Sequence, residues 1–320
     1  MALRLRLRRG GPAGEAAGAD VETLERRRLN LVLGLAVGLG LAPVLYLYLL
    51  LVLSSFSNTM LTSLPLPGSG VELTLRNWEM LFRGQVAPAA GKIYTTRDIV
   101  LIILNTLVVA LGVTAVVVAA SVMAGYAFSR LRFRWRRGLM EFIILLHAFP
   151  GVALIIAVYA VYVWSLGPVR ELLGRDSLAA YSVFYTVLAR ASLEIPMSIW
   201  LMKGFFDRIP WEVEWSALID GASRFTVWRR ILLPQVKPGI AALAIFAFLA
   251  GWEDLIYVRV FLYPQVKTLA TFIEESVAGL ETAYLPVVAA AGTLYLIPTI
   301  VFFIATQRLL LEAMSGGVKG

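Results

Sequence analysis

Charged residues within long apolar stretches are the first candidates for chemistry in this 320-residue chain. Arg190 and Glu194 are four residues apart, which places both on one face of a helix. Glu253 and Asp254 interrupt a later apolar stretch. Such groups can contact a solute along a substrate path, carry protons, or hold helices together as ion pairs. Buried paired charges often have a structural role, which favours the last interpretation, but contact with a substrate stays an alternative.

Several other kinds of chemistry are excluded by the residues that are missing. The chain has no cysteine, which rules out disulfides, thiol catalysis and thiolate metal sites. His147 is the only histidine, and its position three residues before Pro150 predicts a local hydrogen bond rather than a proton relay. The one Gly-Lys pair that resembles a phosphate-binding loop, Gly91-Lys92, has Val86 at the first glycine position. We therefore predict no catalytic residue, no metal site and no cofactor bound by this chain.

The elements that must position these charges are predicted to be membrane-spanning helices. The chain is 59% hydrophobic and 16% charged, with a mean hydropathy of +0.78, whereas soluble chains carry about 25% charged residues. Long uncharged stretches such as Leu29 to Leu53 can cross about 30 Å of hydrocarbon as helices. The predicted fold is an all-α, polytopic membrane protein with six spans, at about 29–53, 99–128, 139–164, 178–205, 238–258 and 284–306.

The distribution of arginine and lysine predicts the orientation of these spans. Basic residues next to spans favour the cytoplasmic side, and arginines crowd both the segment before the first span and the connection at 130–137. This places the tails at 1–28 and 308–320, and the loop at 206–237, in the cytoplasm. The net charge of +8 is explained by this topology, so no nucleic acid partner is predicted.

The loop at 206–237 has the pattern of two short helices joined by a turn. Pro210 is suited to begin a helix, Glu212 and Glu214 lie in its first turn, and Gly221 permits a left-handed exit. A second helix is predicted from Arg224 to Leu233, stopped by Pro234 and Pro238. An amphipathic segment lying on the membrane, with Trp and Phe in its apolar face, is an alternative.

The spacing within this loop resembles the E-A-A-x3-G-x9-I-x-L-P signature of ABC importer permeases. Ala217, Gly221, Ile231 and the pair Leu233-Pro234 occupy the matching positions. Further stretches are similar to the six-helix, maltose-type sugar permease subunit: Asn105-Thr106, Ala124 to Leu131, Phe149-Pro150-Gly151, Gly204-Phe205-Phe206, Asp220-Gly221-Ala222, Trp252-Glu253-Asp254 and the ending Gly316 to Gly320. In this chain Trp215-Ser216-Ala217 replaces Glu-Ala-Ala, so Glu214 or Glu212 would have to supply the acid.

The resemblance implies a type I ABC importer permease fold with a cytoplasmic coupling helix. It implies a second permease subunit as heterodimer partner, two copies of an ABC ATPase that use ATP and Mg, and an external substrate-binding protein, all at a bacterial or archaeal cytoplasmic membrane with its lipid. The ATPase-coupling residues would be Glu212, Glu214, Trp215, Ser216, Ala217, Asp220, Gly221, Leu233 and Pro234, and the tail residues Ser315, Gly316 and Gly317 would contact the ATPase.

Three functions compete on this evidence. The first is a non-catalytic permease subunit of an ATP-driven importer for a sugar or oligosaccharide of the maltose or trehalose class. The second is a proton-coupled secondary transporter in which Glu194 and Asp254 carry protons. The third is a membrane structural or assembly protein. The coupling-loop pattern favours the first, because neither alternative requires that loop.

Overall fold

The computed structural model describes residues 12–66, 68, 70–89, 92–278 and 284–315. Nearly all of the regular structure in these ranges is helical, which confirms the predicted all-α class. The helices are α1 (Pro12–Ser55), α2 (Arg76–Arg83), α3 (Thr96–Arg130), α4 (Arg136–His147), α5 (Gly151–Leu173), α6 (Leu178–Asp207), α7 (Trp211–Ile219), α8 (Arg224–Val227), α9 (Leu233–Gln235), α10 (Lys237–Trp252), α11 (Ile256–Phe261), α12 (Leu269–Ala278) and α13 (Leu285–Ser315). A 3-10 turn at Arg175–Ser177 precedes α6, and a π-helical turn at Trp228–Leu232 joins α8 to α9.

Four helices in the described ranges are long and apolar enough to cross a membrane. They are the Leu29–Ser55 part of α1, α3, α5, and the Leu285–Phe302 part of α13. A fifth span results if Arg224–Gln235 and α10, which are bent by 75° relative to each other, are counted together. The predicted fourth span corresponds to α6, whose 30 residues are long enough but include Arg190, Glu194 and Lys203.

Helix α3 lies at the centre of the bundle. It begins with a capping box, in which Thr95 Oγ1 accepts the Asp98 N–H and Asp98 Oδ2 accepts the Thr95 N–H at 2.8 Å. Its valines at 109, 113 and 117 are fully buried against α6 and α10. The approach to α6 is close because Gly125 has no side chain: a Cβ there would lie 2.7 Å from Met202 Cβ. At this point the backbone of α3 therefore lies directly against the Met202 side chain of α6.

The predicted third span at 139–164 does not coincide with one helix. Helix α4 ends at His147, and α5 begins at Gly151 after Pro150 adopts an extended conformation as its N-cap. Proline lacks the N–H that a continuous helix requires and disfavours helical geometry in the residue before it. The Phe149-Pro150-Gly151 triplet indicates the break, but a mean hydropathy over a long window does not detect it.

A second break divides the predicted fifth span at 238–258. Helix α10 ends at Trp252 after 16 residues, and α11 begins at Ile256. At 1.5 Å per residue, α10 alone is about 24 Å long, less than the hydrocarbon thickness. The charged pair Glu253-Asp254 lies in the gap between the two helices.

A short β-hairpin lies in the long connection between α1 and α3, where the sequence had predicted no strand. Strands β1 (Gln85–Ala89) and β2 (Lys92–Thr95) are antiparallel, with Val86 opposite Tyr94. Tyr94 accepts a hydrogen bond from Lys267 Nζ at 2.8 Å, which ties the hairpin to the segment after α11. We call this end of the bundle the hairpin end.

The opposite end of the bundle, which we call the basic end, holds the two segments that the arginine distribution predicts to be cytoplasmic. Arg130, at the end of α3, donates hydrogen bonds to the carbonyl oxygens of Phe206 (2.8 Å) and Ile209 (2.5 Å). The arginine-rich α3–α4 connection and the loop at 206–237 therefore lie together, which agrees with the predicted common side of these two segments.

Candidate functional site: a docking face and a charge cluster

The turn between α7 and α8 has the geometry that its glycine predicts. Gly221 adopts φ +86°, in the left-handed region. The Gly221 N–H donates to Leu218 O at 3.1 Å and the Ala222 N–H donates to Ala217 O at 3.0 Å, which satisfies the last carbonyls of α7. Ser223 then caps α8 by accepting the Thr226 N–H at 3.2 Å. The predicted helix-turn-helix is confirmed.

Helix α7 has one packed face and one exposed face. Val213, Ala217 and Leu218 pack on the buried core formed by α3, α6 and the π-helical turn. The other face is open to solvent and includes large apolar side chains, with Trp215 53% and Ile219 85% exposed. We define the docking face as the exposed residues Glu212, Trp215, Ser216, Ile219, Asp220, Gly221 and Phe225.

The structure separates the two acids that the sequence offered as substitutes for the signature glutamate. Glu214 is only 2% exposed, and its Oε2 lies 3.5 Å from Arg130 Nε in an ion pair inside the bundle. Glu212 is exposed on the docking face. Glu214 is therefore not available to a partner in this conformation. Its position in the sequence, next to Trp215, did not indicate this burial.

Leu233 is half-buried against the core, whereas Pro234, the next residue of α9, is exposed. The predicted second helix is confirmed within two residues of its end: the chain stays helical from Arg224 to Gln235, past Pro234, and bends just before Pro238 and α10. The helix accommodates Pro234 by means of the π-helical turn, whose wider hydrogen bonding brings the Leu233 N–H to Trp228 O. Gln235 Nε2 donates to Ile231 O at 3.0 Å, supplying a bond within the same turn.

Arg190 is the centre of a charge cluster between α6 and the α10–α11 break. Its Nη1 lies 2.9 Å from Glu194 Oε1, and its Nε lies 2.8 Å from Asp254 Oδ2. The other Asp254 oxygen accepts the N–H groups of Tyr257 (2.8 Å) and Val258 (3.1 Å) and so begins α11. The predicted pairing of Arg190 with Glu194 is confirmed, and Asp254 joins it from a distant part of the chain.

Glu253 is directed away from this cluster although it is the neighbour of Asp254. Its Oε1 accepts a hydrogen bond from Thr299 Oγ1 of α13 at 2.9 Å. The two acids diverge because they occupy the non-helical gap after α10. Of the four candidate path residues, the structure thus brings three together and places Glu253 elsewhere.

A cavity of about 550 Å³ opens beside the charge cluster. It lies where the α4–α5 break, the middle of α6 and the α10–α11 break meet, and its lining includes His147, Glu194 and Tyr257. Tyr257 donates its hydroxyl hydrogen to Gly151 O at 2.9 Å and so links the two breaks. Carboxylate, imidazole and phenol groups in a largely apolar wall can orient a hydroxylated solute. Tyr257 is a lining residue that sequence reasoning missed, since no charge or spacing marks it.

His147 has a structural partner, although not the local one that the sequence predicted. Its Nδ1 lies 3.2 Å from Leu193 O, on α6 rather than within its own helix. We expect His147→Ala to fold and to keep transport within about three-fold, because one neutral hydrogen bond contributes only about 1 kcal/mol. Uptake by membrane vesicles, normalised to the amount of assembled protein, measures this. A folded variant that no longer transports would instead support a proton relay.

The tail prediction is only partly within the described residues. Ser315 is the last residue of α13, while Gly316 and Gly317 lie outside the described part of the chain. Their predicted contact with an ATPase stays a prediction.

Comparison with known proteins places these features in a family. Residues 117–316 match the family described as "Binding-protein-dependent transport system inner membrane component". The chain belongs to this family. The matched region of this binding-protein-dependent transport component includes the docking face and the charge cluster.

Individual relatives agree with this membership. The chain is 32% identical over 218 residues to the maltodextrin transport system permease protein MdxG of Bacillus subtilis, covering 68% of this chain and 74% of the relative. It is 26% identical over 255 residues to the trehalose transport system permease protein SugB of Mycobacterium tuberculosis, covering 78% and 83%. In fold it is similar to a chain of a bacterial ABC transporter involved in the import of the acidic polysaccharide alginate. The TM-score is 0.66 at 19% identity, and the match covers 89% of this chain and 97% of that chain.

Proposed function

We propose that this chain is the transmembrane permease subunit of an ATP-driven, binding-protein-dependent importer for a sugar or oligosaccharide. The observation that carries the proposal is the docking face, a set of exposed apolar side chains on a firmly packed helix-turn-helix at the basic end of the bundle. Family membership supports a transport role, and relatives named for maltodextrin and trehalose transport support a saccharide as the solute.

The proposed complex contains a second permease subunit, two ATPase copies and an external substrate-binding protein in the cytoplasmic membrane, with both termini of this chain in the cytoplasm. ATP and Mg are used by the ATPase, and this chain is not catalytic. Closure of the ATPase pair pushes on the docking face, and α3 and α6 carry that movement towards the cavity. A complex of a related-fold transporter with a substrate-bound periplasmic protein supports a binding-protein partner.

The docking face suits a groove that is mainly apolar. Trp215 occupies the position of the signature glutamate, and it shares the exposed side of α7 with Ile219 one turn later. Glu212 is the exposed acid that remains at the first turn. Ala217 and Leu233 pack on the core, and the exposed Pro234 is kept as a proposed ATPase contact. Ser315 to Gly317 are proposed to contact the ATPase at a second place.

Trp215→Ala is expected to weaken ATPase binding by roughly 30-fold, because a tryptophan at the centre of an interface contributes about 2 kcal/mol or more. Binding of the purified ATPase to the permease pair in nanodiscs measures this. Trp164→Ala is the control, since Trp164 is more exposed (77%) but lies in α5, away from the docking face. Equal affinity of the Trp215 variant and native protein would contradict the docking proposal.

The charge cluster and its cavity form the proposed substrate path within this chain. Arg190 forms an ion pair with Asp254, and Asp254 also accepts backbone N–H groups, which favours a structural role for both residues. Glu194 is the more exposed of the two acids and lies in the cavity lining, so it is the side chain best placed to accept a hydrogen bond from a sugar hydroxyl. Glu253 is proposed only as a contact between the α10–α11 gap and α13.

The function is tested by co-expressing the chain with a second permease and an ATPase encoded beside it, and purifying the complex into proteoliposomes. The expected result is ATP hydrolysis that rises when binding protein loaded with an oligosaccharide is added. A chain that purifies alone, binds no ATPase and moves solute on a proton gradient would instead identify a secondary transporter.

A further inference from the structure

The buried cluster around Arg130 is not explained by docking or by substrate contact. Arg130 is the last residue of α3, and every group around its guanidinium belongs to another element. Its Nη2 donates to the carbonyls of Phe206 and Ile209, its Nε lies 3.5 Å from Glu214 Oε2, and its Cζ lies 4.6 Å from the centre of the Trp211 ring. One side chain thus joins α3, the end of α6 and both the first turn and the middle of α7.

Neighbouring contacts strengthen the same junction. Ser129 Oγ donates to Asp207 Oδ1 at 2.6 Å, and Lys203 forms an ion pair with the other Asp207 oxygen. Tyr126, one turn before Arg130, packs edge-on against Phe206 at 5.8 Å between ring centres. The last turn of α3 is therefore fastened to the last turn of α6 by polar and aromatic contacts.

Helix α7 needs such a fastening to transmit force. Only Arg208 to Pro210 connect it covalently to α6, and Pro210 lies outside both helices. Apolar packing of its inner face resists separation, but it is non-directional and permits rotation and sliding. The Arg130–Glu214 ion pair and the Arg130–Trp211 contact add two specific contacts to α7, and Glu214 lies about 100° around the helix from the exposed Trp215.

We propose that Arg130 is a positioning residue that fixes α7 to the α3–α6 pair, so that a push on the docking face moves the spanning helices instead of bending the α6–α7 turn. This inference rests on the proposed function, because it gives Arg130 and Glu214 a role in transmitting ATPase closure. Arginine suits the position because its planar group donates in several directions while stacking on Trp211, which a lysine cannot do.

The test compares Arg130→Lys and Glu214→Gln with native protein in the reconstituted complex. We expect ATP hydrolysis to stay within about two-fold while the amount of sugar imported per ATP falls by about ten-fold or more, within the range of coupling between linked sites. Arg137→Lys is the control, because Arg137 lies in the same basic end but pairs with Glu141 on the surface. Native import per ATP in both buried-pair variants would overturn the inference, whereas failure of the native complex to hydrolyse ATP would overturn the proposed function.

A second measurement covers variants that do not assemble with the ATPase. This chain has no cysteine, so two introduced ones can carry spin labels without background from the chain itself. Labels at Ile219 and Phe133, both exposed, report the distance between α7 and the end of α3 in the permease pair alone. We expect a narrow distance distribution in native protein and a clearly broader one with Arg130→Lys. A variant distribution as narrow as the native one would overturn the inference.

Discussion

Gly221→Asp is expected to leave the complex able to hydrolyse ATP while uptake falls by about ten-fold. Gly221 has φ +86°, a conformation that costs an L-residue roughly 1–2 kcal/mol, and a distortion of that size at the turn changes binding about ten-fold. The aspartate also adds a negative charge within the docking face, near the apolar side chains that are proposed to contact the ATPase. The measurement is hydrolysis and uptake on the same proteoliposomes, reported as their ratio.

Gly174→Asp provides the matched control for this prediction. Gly174 has φ +82°, and like Gly221 it has open space where a Cβ would be added. It lies before α6, at the other end of that helix from the docking face. The aspartate is strained at Gly174 as well, because φ +82° with ψ 171° is a conformation adopted essentially only by glycine, but the docking face is untouched, and uptake should stay within about two-fold. An equal loss of uptake in both variants would mean that strain, not docking, explains the effect.

Arg190→Met is expected to lower the free energy of unfolding by about 3 kcal/mol, since removing one partner of a buried ion pair leaves an uncompensated charge. Here two carboxylates, those of Glu194 and Asp254, lose their common cation. Denaturant titration of the purified permease pair in detergent measures the loss. The triple variant Arg190→Met, Glu194→Gln, Asp254→Asn should recover most of it, because no charge is then left unpaired and the asparagine oxygen still accepts the Tyr257 and Val258 N–H groups.

Arg137→Met is the control for the charge cluster. Arg137 and Glu141 have the same four-residue spacing and the same 2.9 Å separation as Arg190 and Glu194, but their side chains are 94% and 66% exposed. Exposed pairs of this kind contribute little to stability, so no measurable change is expected. A loss as large in Arg137→Met as in Arg190→Met would show that burial is not the cause.

Sequence patterns predicted the helices that depend on local composition and failed where distant residues decide. The uncharged stretch at 29–53 and the span at 99–128 correspond within a few residues to the Leu29–Ser55 part of α1 and to α3, because hydropathy and length suffice there. The turn at Gly221 was also predicted, because glycine readily adopts the positive φ that such a turn requires. The break before α5 was signalled by Pro150, yet a long apolar average concealed it.

The candidate site was less predictable because side-chain direction depends on tertiary partners. Glu214 is buried because Arg130, 84 residues earlier in the chain, faces it, and no spacing rule relates these two positions. Glu253 and Asp254 are adjacent, but Glu253 contacts α13 and Asp254 contacts α6. They diverge because α10 ends at Trp252 and α11 begins only at Ile256. Motif spacing located both regions, while only the packed structure separated surface residues from interior ones.

The position of α1 has a consequence for how the chain is made. Residues 29–49 of α1 are exposed along their whole length, and its packing within the chain is chiefly against α13, which begins about 230 residues later. At 5–20 residues per second, the ribosome needs on the order of ten to fifty seconds to synthesise that interval. The first helix is therefore synthesised well before α13, the helix against which it packs. Nascent chains that stop before α13 should consequently be the ones that cellular proteases remove.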